Sequence, residues 1–476
     1  MSQPKPKECR GCVLEHKGSG FAHPVGPTNS LLCFVGEALG ATEARKSEPF
    51  VGDAGVYLNR AFRRLGLERE DVRIGNVVSC QPPNDWLVGA PWEQTATAHC
   101  YAHRRRLLSN PHKVFVTLGV TATRVVLKEL LNIDYAGKLD HWHGYVLGDE
   151  ERGYVVPTYH PAFLLRGNQK LFGTFLFDLT RAMETASFGY KDDPVSTLWD
   201  PQPAEFAHFT TAIPNDCWLA VDIETVHSDA DEDERQPFGT QVPIRISFSF
   251  NPDQGVSIPW EPRYHPMIRS ALASPCTKIF HNERFDVPIL QAQGMEIKGA
   301  ILDSMWLWHF LQSDTPKSLG FVAPFYSRLP PWKHLSNELP AHYSAMDALQ
   351  TYRIMVGIAK DLQKSGQWEH ALKYSSKIDM EVLHPMTEIG IQMSRSMLKT
   401  LDSHMEGELL RVNQQLTAMY PEEIRPLGGG WKRQPKKDSP FYHGAFKKTV
   451  KEEVLVCTDC GEEDVGPKHK CKKEQS

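Results

Sequence analysis

The sequence predicts an α/β chain: two successive units of alternating strands and helices, then a helical segment and a small tail. Three observations carry this. Short apolar runs, several ending in glycine or an acid, alternate with amphipathic stretches, as parallel strands joined by helices require. The pattern breaks once, over a proline-bearing stretch with little periodicity, and then restarts. Finally it gives way to a purely helical period. The 476 residues leave room for about three domains.

In the first unit, residues 1–188, four runs read as buried strands: 31–35 (Leu-Leu-Cys-Phe-Val), 72–78, 113–118 and 154–158. The third is followed by Gly119 and a helical stretch reaching Leu131. In such a parallel sheet the working residues belong at the carboxyl ends of the strands. Residues 189–214 read as a linker. The second unit, 215–365, opens with the run 218–222 and continues with 244–250 and 278–280. Its acidic stretch 229–234 reads as a solvated loop. Residues 366–425 repeat apolar side chains at helical spacing: Ile378, Val382, Leu383, Met386 and Ile389, then Leu398, Leu401, Leu409 and Leu410. This reads as a helical hairpin broken at Gly390. Residues 426–476 form a basic tail.

Composition narrows the classes. Hydrophobic residues at 41% and charged residues at 23% are ordinary for a globular protein. The absence of a run of ~18 apolar residues excludes a membrane span. The N-terminus from Met1 to Lys7 has no apolar core, which excludes a secretory signal and sets the expectation of a cytoplasmic protein. A net charge of −5 excludes a histone-like binder but not a DNA enzyme, whose acidic site and basic groove cancel in the sum. The ten cysteines in a reducing compartment suggest metal rather than disulfides. Cys33, Cys217 and Cys276 read as core residues, and the other seven fall into one group at each end.

Cys9-x-x-Cys12 supplies two thiolates at chelating distance, and Cys80 and Cys100 supply two more. Four thiolates suit tetrahedral zinc or an iron–sulfur cluster, and spacing does not separate the two. Around them lie three further motifs. Gly36-Glu37-Ala38-Leu39-Gly40 is followed by Glu43 and by Pro49-Phe50-Val51-Gly52-Asp53-Ala54-Gly55. Gly75-Asn76 leads into Cys80-Gln81-Pro82-Pro83, and Thr158-Tyr159-His160-Pro161 closes the set. In this order the motifs resemble family 4 uracil-DNA glycosylases, with Leu39 standing where that family usually has proline. The resemblance covers roughly residues 5–185. It implies a 4Fe–4S cluster on Cys9, Cys12, Cys80 and Cys100, and a pocket for uracil taken out of the DNA stack. In that pocket Phe50 stacks on the base, Asn76 pairs with its N3–H and O4, and His160 stabilises charge building on O2. Glu37 acts on water or supports the cationic sugar, and Gly36 lets the backbone approach closely.

The second unit gathers acids. Asp222 and Glu224 lie on one face of a strand. Asp286, in His281-Asn282-Glu283-Arg284-Phe285-Asp286, begins a helix. Tyr343 and Asp347 sit one helical turn apart. Four acids and a tyrosine suit two divalent cations about 4 Å apart, and hard oxygen ligands favour magnesium or manganese. The set resembles DEDD-type 3′–5′ exonucleases of the subclass with tyrosine in the last motif, which share a ribonuclease H-like fold. The resemblance makes Asp222, Glu224, Asp286 and Asp347 the ligands, Tyr343 the residue that orients water, and Asn282 and Phe285 substrate contacts. Asp303 is expected to be structural.

Residues 366–412, with Glu381, Pro385, Glu388 and Gly390, resemble the helix that follows the proofreading domain in family A DNA polymerases; no palm or fingers motif follows. The tail's Cys457, Cys460, His469 and Cys471 fit a three-cysteine, one-histidine zinc knuckle, while the surrounding lysines fit an exposed tail equally well. Together these readings point to a two-activity DNA enzyme, excising uracil and trimming 3′ ends, with a separate polymerase subunit as a partner. The alternatives are a replication accessory whose glycosylase-like part only binds DNA, and a truncated family A polymerase.

Overall fold

The buried apolar runs become strands. In the computed structural model, which describes residues 4–109, 111–225, 241–389 and 394–419, the first sheet contains β1 (Leu32–Ala38), β2 (Arg73–Val78), β3 (Val114–Leu118), β4 (Leu147–Asp149) and β5 (Gly153–Thr158). Their order is β2-β1-β3-β5-β4, parallel except for the short β4. β3 and β5 are buried along their whole length, because helices cover both faces of a parallel sheet. One such helix, Phe172–Phe188, buries Phe175 and Leu179 and ends at Gly189.

The second sheet holds six strands: β6 (Ser196–Trp199), β7 (Trp218–Thr225), β8 (Pro243–Asn251), β9 (Gln254–Pro259), β10 (Thr277–Phe280) and β11 (Ile301–Asp303). Their order is β11-β10-β7-β8-β9-β6. β7, β8 and β9 run antiparallel, and the flanking pairs run parallel. The 25-residue helix Pro340–Lys364 packs along this sheet.

The stretch 189–214 differs from the expected linker. It contributes β6 and the helix Pro203–Thr211, whose Phe206 is fully buried. The start of this helix is fixed by a capping box between Gln202 and Glu205, with Pro203 in its first turn.

The chain divides into two compact units, Met1–Glu388 and Ile389–Ser476. Both sheets belong to the first, and one buried cluster runs from Phe115 and Trp142 through Phe175 to Phe321 and Leu329. Residues 139–145 make much of the contact, and Phe177 adds a ring 4.5 Å from that of Phe325. His143 joins Asp178 on one side (3.1 Å) and the carbonyl of Phe321 on the other (3.0 Å). Tyr145 donates to the Gly320 carbonyl at 3.3 Å, and the rings of Trp142 and His334 lie 4.8 Å apart. The expected helical segment forms as Trp368–Lys373, a wider turn Tyr374–Leu383, and His384–Ile389. In the second unit the helix Arg395–Met419 exposes Met397, Leu401, Met405 and Leu409. The acidic stretch 229–234, Gly390, and the tail with Cys457, Cys460, His469 and Cys471 lie outside the described residues. Among the described residues no helix is long and apolar enough to cross a membrane.

Candidate functional sites

The first site forms where β1, β2 and β5 end. Gly36 pairs in register with Asn76. A Cβ at Gly36 would lie 2.4 Å from Asn76 Oδ1 and 2.5 Å from Phe50 Cζ, so only glycine lets these side chains meet. Asn76 is 6% exposed, and its Oδ1 has no partner among the described residues. A buried acceptor left unpaired costs about 1–3 kcal/mol, which a bound donor would recover.

Phe50 holds φ at +54°, uncommon for a bulky residue. Its carbonyl oxygen lies 1.8 Å from where a Cβ on Gly55 would stand, so this turn requires glycine. Glu43 ties the two halves of the motif together: it accepts the Gly52 N–H at 2.8 Å, and a Cβ at Gly40 would stand 2.8 Å from its other oxygen.

His160 follows β5 and caps the helix Pro161–Leu165, its Nδ1 accepting the Ala162 N–H at 3.1 Å. In the neutral ring the proton therefore sits on Nε2. Burial, reinforced by Arg166, pushes its pKa down to about 4, so the imidazole is neutral near pH 7. Its ring lies 5.7 Å from that of Phe50, tilted by 34°. Glu37, half-buried after Gly36, is shifted upward by burial and by Glu93, with Arg166 and Arg124 opposing. Leu39 is buried at 2% exposure.

Beside this pocket Cys9, Cys12, Cys80 and Cys100 line one cavity with Leu14, Phe21, Val78 and Ala96. Burial and the neighbouring thiols push Cys9 up to about 11, and burial above all pushes Cys80 up to about 12. Buried thiols in a group ionise only with a compensating cation, which is the condition a metal cluster meets. The N–H groups of Leu14 and Ser79 donate to Cys12 and Cys100, each at 3.4 Å. Lys5 fastens the cysteine turn through the carbonyls of Glu15 and Gly18, both at 2.8 Å.

The second site joins β7 to two helices. Oxygens of Asp222, Glu224 and Asp347 lie within 4.8 Å of one another. Asp286, on the helix Glu283–Ala292, accepts the N–H of Ile223 at 3.1 Å, between the two acids of β7. Asp222 Oδ2 has no partner among the described residues. Burial, then the charge of Asp347, shifts Asp222 well up and Glu224 up to about 7. Such mutual repulsion is what a cation relieves. Tyr343 lies one turn before Asp347 on the helix Pro340–Lys364. Asn282 caps the Asp286 helix at φ +84°, and Phe285 packs half-buried against the second core. Asp303 is structural: it accepts the N–H groups of Asn282 (3.1 Å), Glu283 (2.9 Å) and Met305 (2.7 Å).

Two residues here escape sequence reasoning. Lys333 Nζ donates to Asp347 Oδ2 at 2.7 Å and to the Tyr343 hydroxyl at 3.0 Å. The indole N–H of Trp332 donates to Asp347 Oδ1. Both sit at the start of a three-residue 3-10 turn after Pro330-Pro331, too short for periodicity to carry a signal.

The first sheet and its pocket define a uracil-DNA glycosylase domain: the profile of the Uracil DNA glycosylase superfamily matches residues 23–182. The type-4 uracil-DNA glycosylase of Thermotoga maritima is 35% identical over 179 residues, covering 37% of this chain and 88% of that protein. Through this N-terminal part the chain belongs to the type-4 uracil-DNA glycosylase family. DNA polymerase I of a Synechocystis species is 27% identical over 157 residues, and the chain spans 16% of its length. The structure of Escherichia coli RNase D, an exoribonuclease, aligns with 42% of this chain and 52% of its own at 19% identity and a TM-score of 0.32.

Proposed function

We propose that the chain is a bifunctional DNA enzyme, hydrolysing the N-glycosidic bond of uracil in one pocket and trimming DNA 3′ ends in the other. The observation that carries the first activity is the unpaired, buried Oδ1 of Asn76 between Gly36 and Phe50. A flipped uracil fits it: N3–H donates to Oδ1, the amide nitrogen donates to O4, and the Phe50 ring covers the base. Cytosine offers the reverse pattern of donors and acceptors. His160, neutral and protonated on Nε2, donates to O2 as charge builds there. Glu37 orients water or supports the cationic sugar. Cys9, Cys12, Cys80 and Cys100 would hold a 4Fe–4S cluster, which ties the N-terminal turn to the end of β2.

For the second activity Asp222, Glu224, Asp286 and Asp347 would hold two magnesium or manganese ions. Bound there, such ions supply charge that stabilises the leaving 3′ oxygen and acidify a water. Tyr343 orients that water, and Asn282 and Phe285 contact the DNA end. The unpaired described cysteines suit a reducing cytoplasm, and a separate polymerase is the partner that 3′ trimming would serve.

One experiment tests both activities. Uracil-containing DNA is incubated with the protein with and without Mg2+, and abasic sites and 3′ shortening are scored. Abasic sites should form without Mg2+, and shortening should require it. No uracil release at enzyme excess would reject the glycosylase reading and leave a DNA-binding role. Asp222→Ala should abolish shortening and spare uracil release. Absorbance near ~400 nm with stoichiometric iron would support the cluster, and zinc instead would overturn it.

A further inference from the structure

The acids of the second site already hold a cation that belongs to the chain. Both oxygens of Asp347 are engaged, one by the Lys333 ammonium at 2.7 Å and the other by the indole N–H of Trp332. The same ammonium reaches the Tyr343 hydroxyl at 3.0 Å and lies 4.6 Å from the centre of its ring. Lys333 therefore occupies the two groups that a metal ion and the water beside it would need. An ammonium and a divalent ion on the same carboxylate would lie close enough to repel strongly.

Lys333 also stands apart from the elements that carry the acids. It opens a short 3-10 turn, Lys333–Leu335, whose surroundings come partly from the glycosylase domain. A Cβ on Gly320 would stand 3.0 Å from the His141 ring and 3.1 Å from Lys333 Cγ, so these groups converge on one point. The neighbouring His334 packs on Trp142 at 4.8 Å.

We propose that Lys333 is an internal counter-ion of the nuclease site: it neutralises Asp347 while no divalent ion is bound and is displaced when one binds. Asp347 then has a compensating charge in either state, and metal binding must first release the lysine. This inference rests on the reading of the four acids as metal ligands.

The test measures Mn2+ binding to the full chain by the magnetic resonance signal of free Mn2+. The set is wild type, Lys333→Met, Lys333→Arg and Asp222→Ala. Lys333→Met should bind Mn2+ at least about tenfold more tightly than wild type, because a competing charge is gone, and Lys333→Arg should resemble wild type. Equal or weaker binding by Lys333→Met overturns the proposal while leaving the metal site intact. Binding by wild type no better than by Asp222→Ala overturns the metal site and the proposal with it. A second measurement needs no variant. Acylation of Lys333 in the wild-type protein, mapped by mass spectrometry, should rise several-fold when Mg2+ is added. Unchanged labelling overturns the proposal, and this readout decides if Lys333→Met does not fold.

Discussion

His160 shows how one backbone contact fixes a reactive atom. Because Nδ1 accepts the Ala162 N–H, the ring can offer only Nε2–H to a ligand while it stays neutral. Its pKa is pushed from 6.5 down to about 4, so an acid limb from this group should appear near pH 4 rather than 6.5 in a kcat/KM profile for uracil release. Between those values the unfolded chain binds a proton that the folded chain excludes, so stability falls as pH drops through that window. A limb near pH 6.5 that vanishes in His160→Gln would contradict this. If Asn76 makes the two base contacts proposed for it, Asn76→Ala should lower kcat/KM by about 10²-fold or more, with melting unchanged. Asn76, Phe50, His160 and the four acids were legible because each stands in an ordered motif at a strand end or helix start. Lys333 was not, because its meaning depends on Asp347, fourteen residues on and across a turn. Cys276 is buried in the core as read, and Cys217 packs partly buried against it.

The turn from Pro49 to Gly55 shows how an element is assembled for use. Phe50 at φ +54° is held by the close approach of Gly55 to its carbonyl. Gly55→Ala should displace the ring and reduce uracil release more than tenfold, whereas Gly66→Ala, with open space around its Cβ, should cost only the strain of its φ of +68°, about 1 kcal/mol. Kinetics and thermal melting on the two variants would separate loss of the pocket from loss of stability. The strands of both sheets were legible where apolar runs were long. β4, β6, β9 and β11 were missed: β4, β6 and β11 are three or four residues long, and in β9 glycine and serine interrupt the apolar residues. The stretch 189–214 misled for a different reason. Its prolines read as punctuation, yet Pro203 opens a helix and Gln202 and Glu205 cap it.

Across the whole molecule, the two sheets share one buried cluster rather than meeting at a polar boundary. Trp142 is fully buried at this contact, its ring 4.8 Å from that of His334. Trp142→Ala should lose about 3–5 kcal/mol and lower uracil release and 3′ trimming together. For the wild type, residues 1–388 should unfold in one calorimetric transition; two resolved transitions would show that the domains are energetically separate. None of this was visible in sequence, because the contacts join residues 139–145 to residues 318–335 across an intervening sheet.

β6 has a practical consequence for anyone dividing the enzyme. It is four residues long, half exposed, and it closes the outer side of β9. A fragment begun at residue 215 would bare the backbone N–H and C=O groups of β9 as an open edge, a template for pairing with a second chain. Such a fragment should self-associate in light scattering, whereas one begun at residue 190 should keep its edge covered. The segment that reads as a linker thus supplies the sheet's outermost strand and covers the edge of β9.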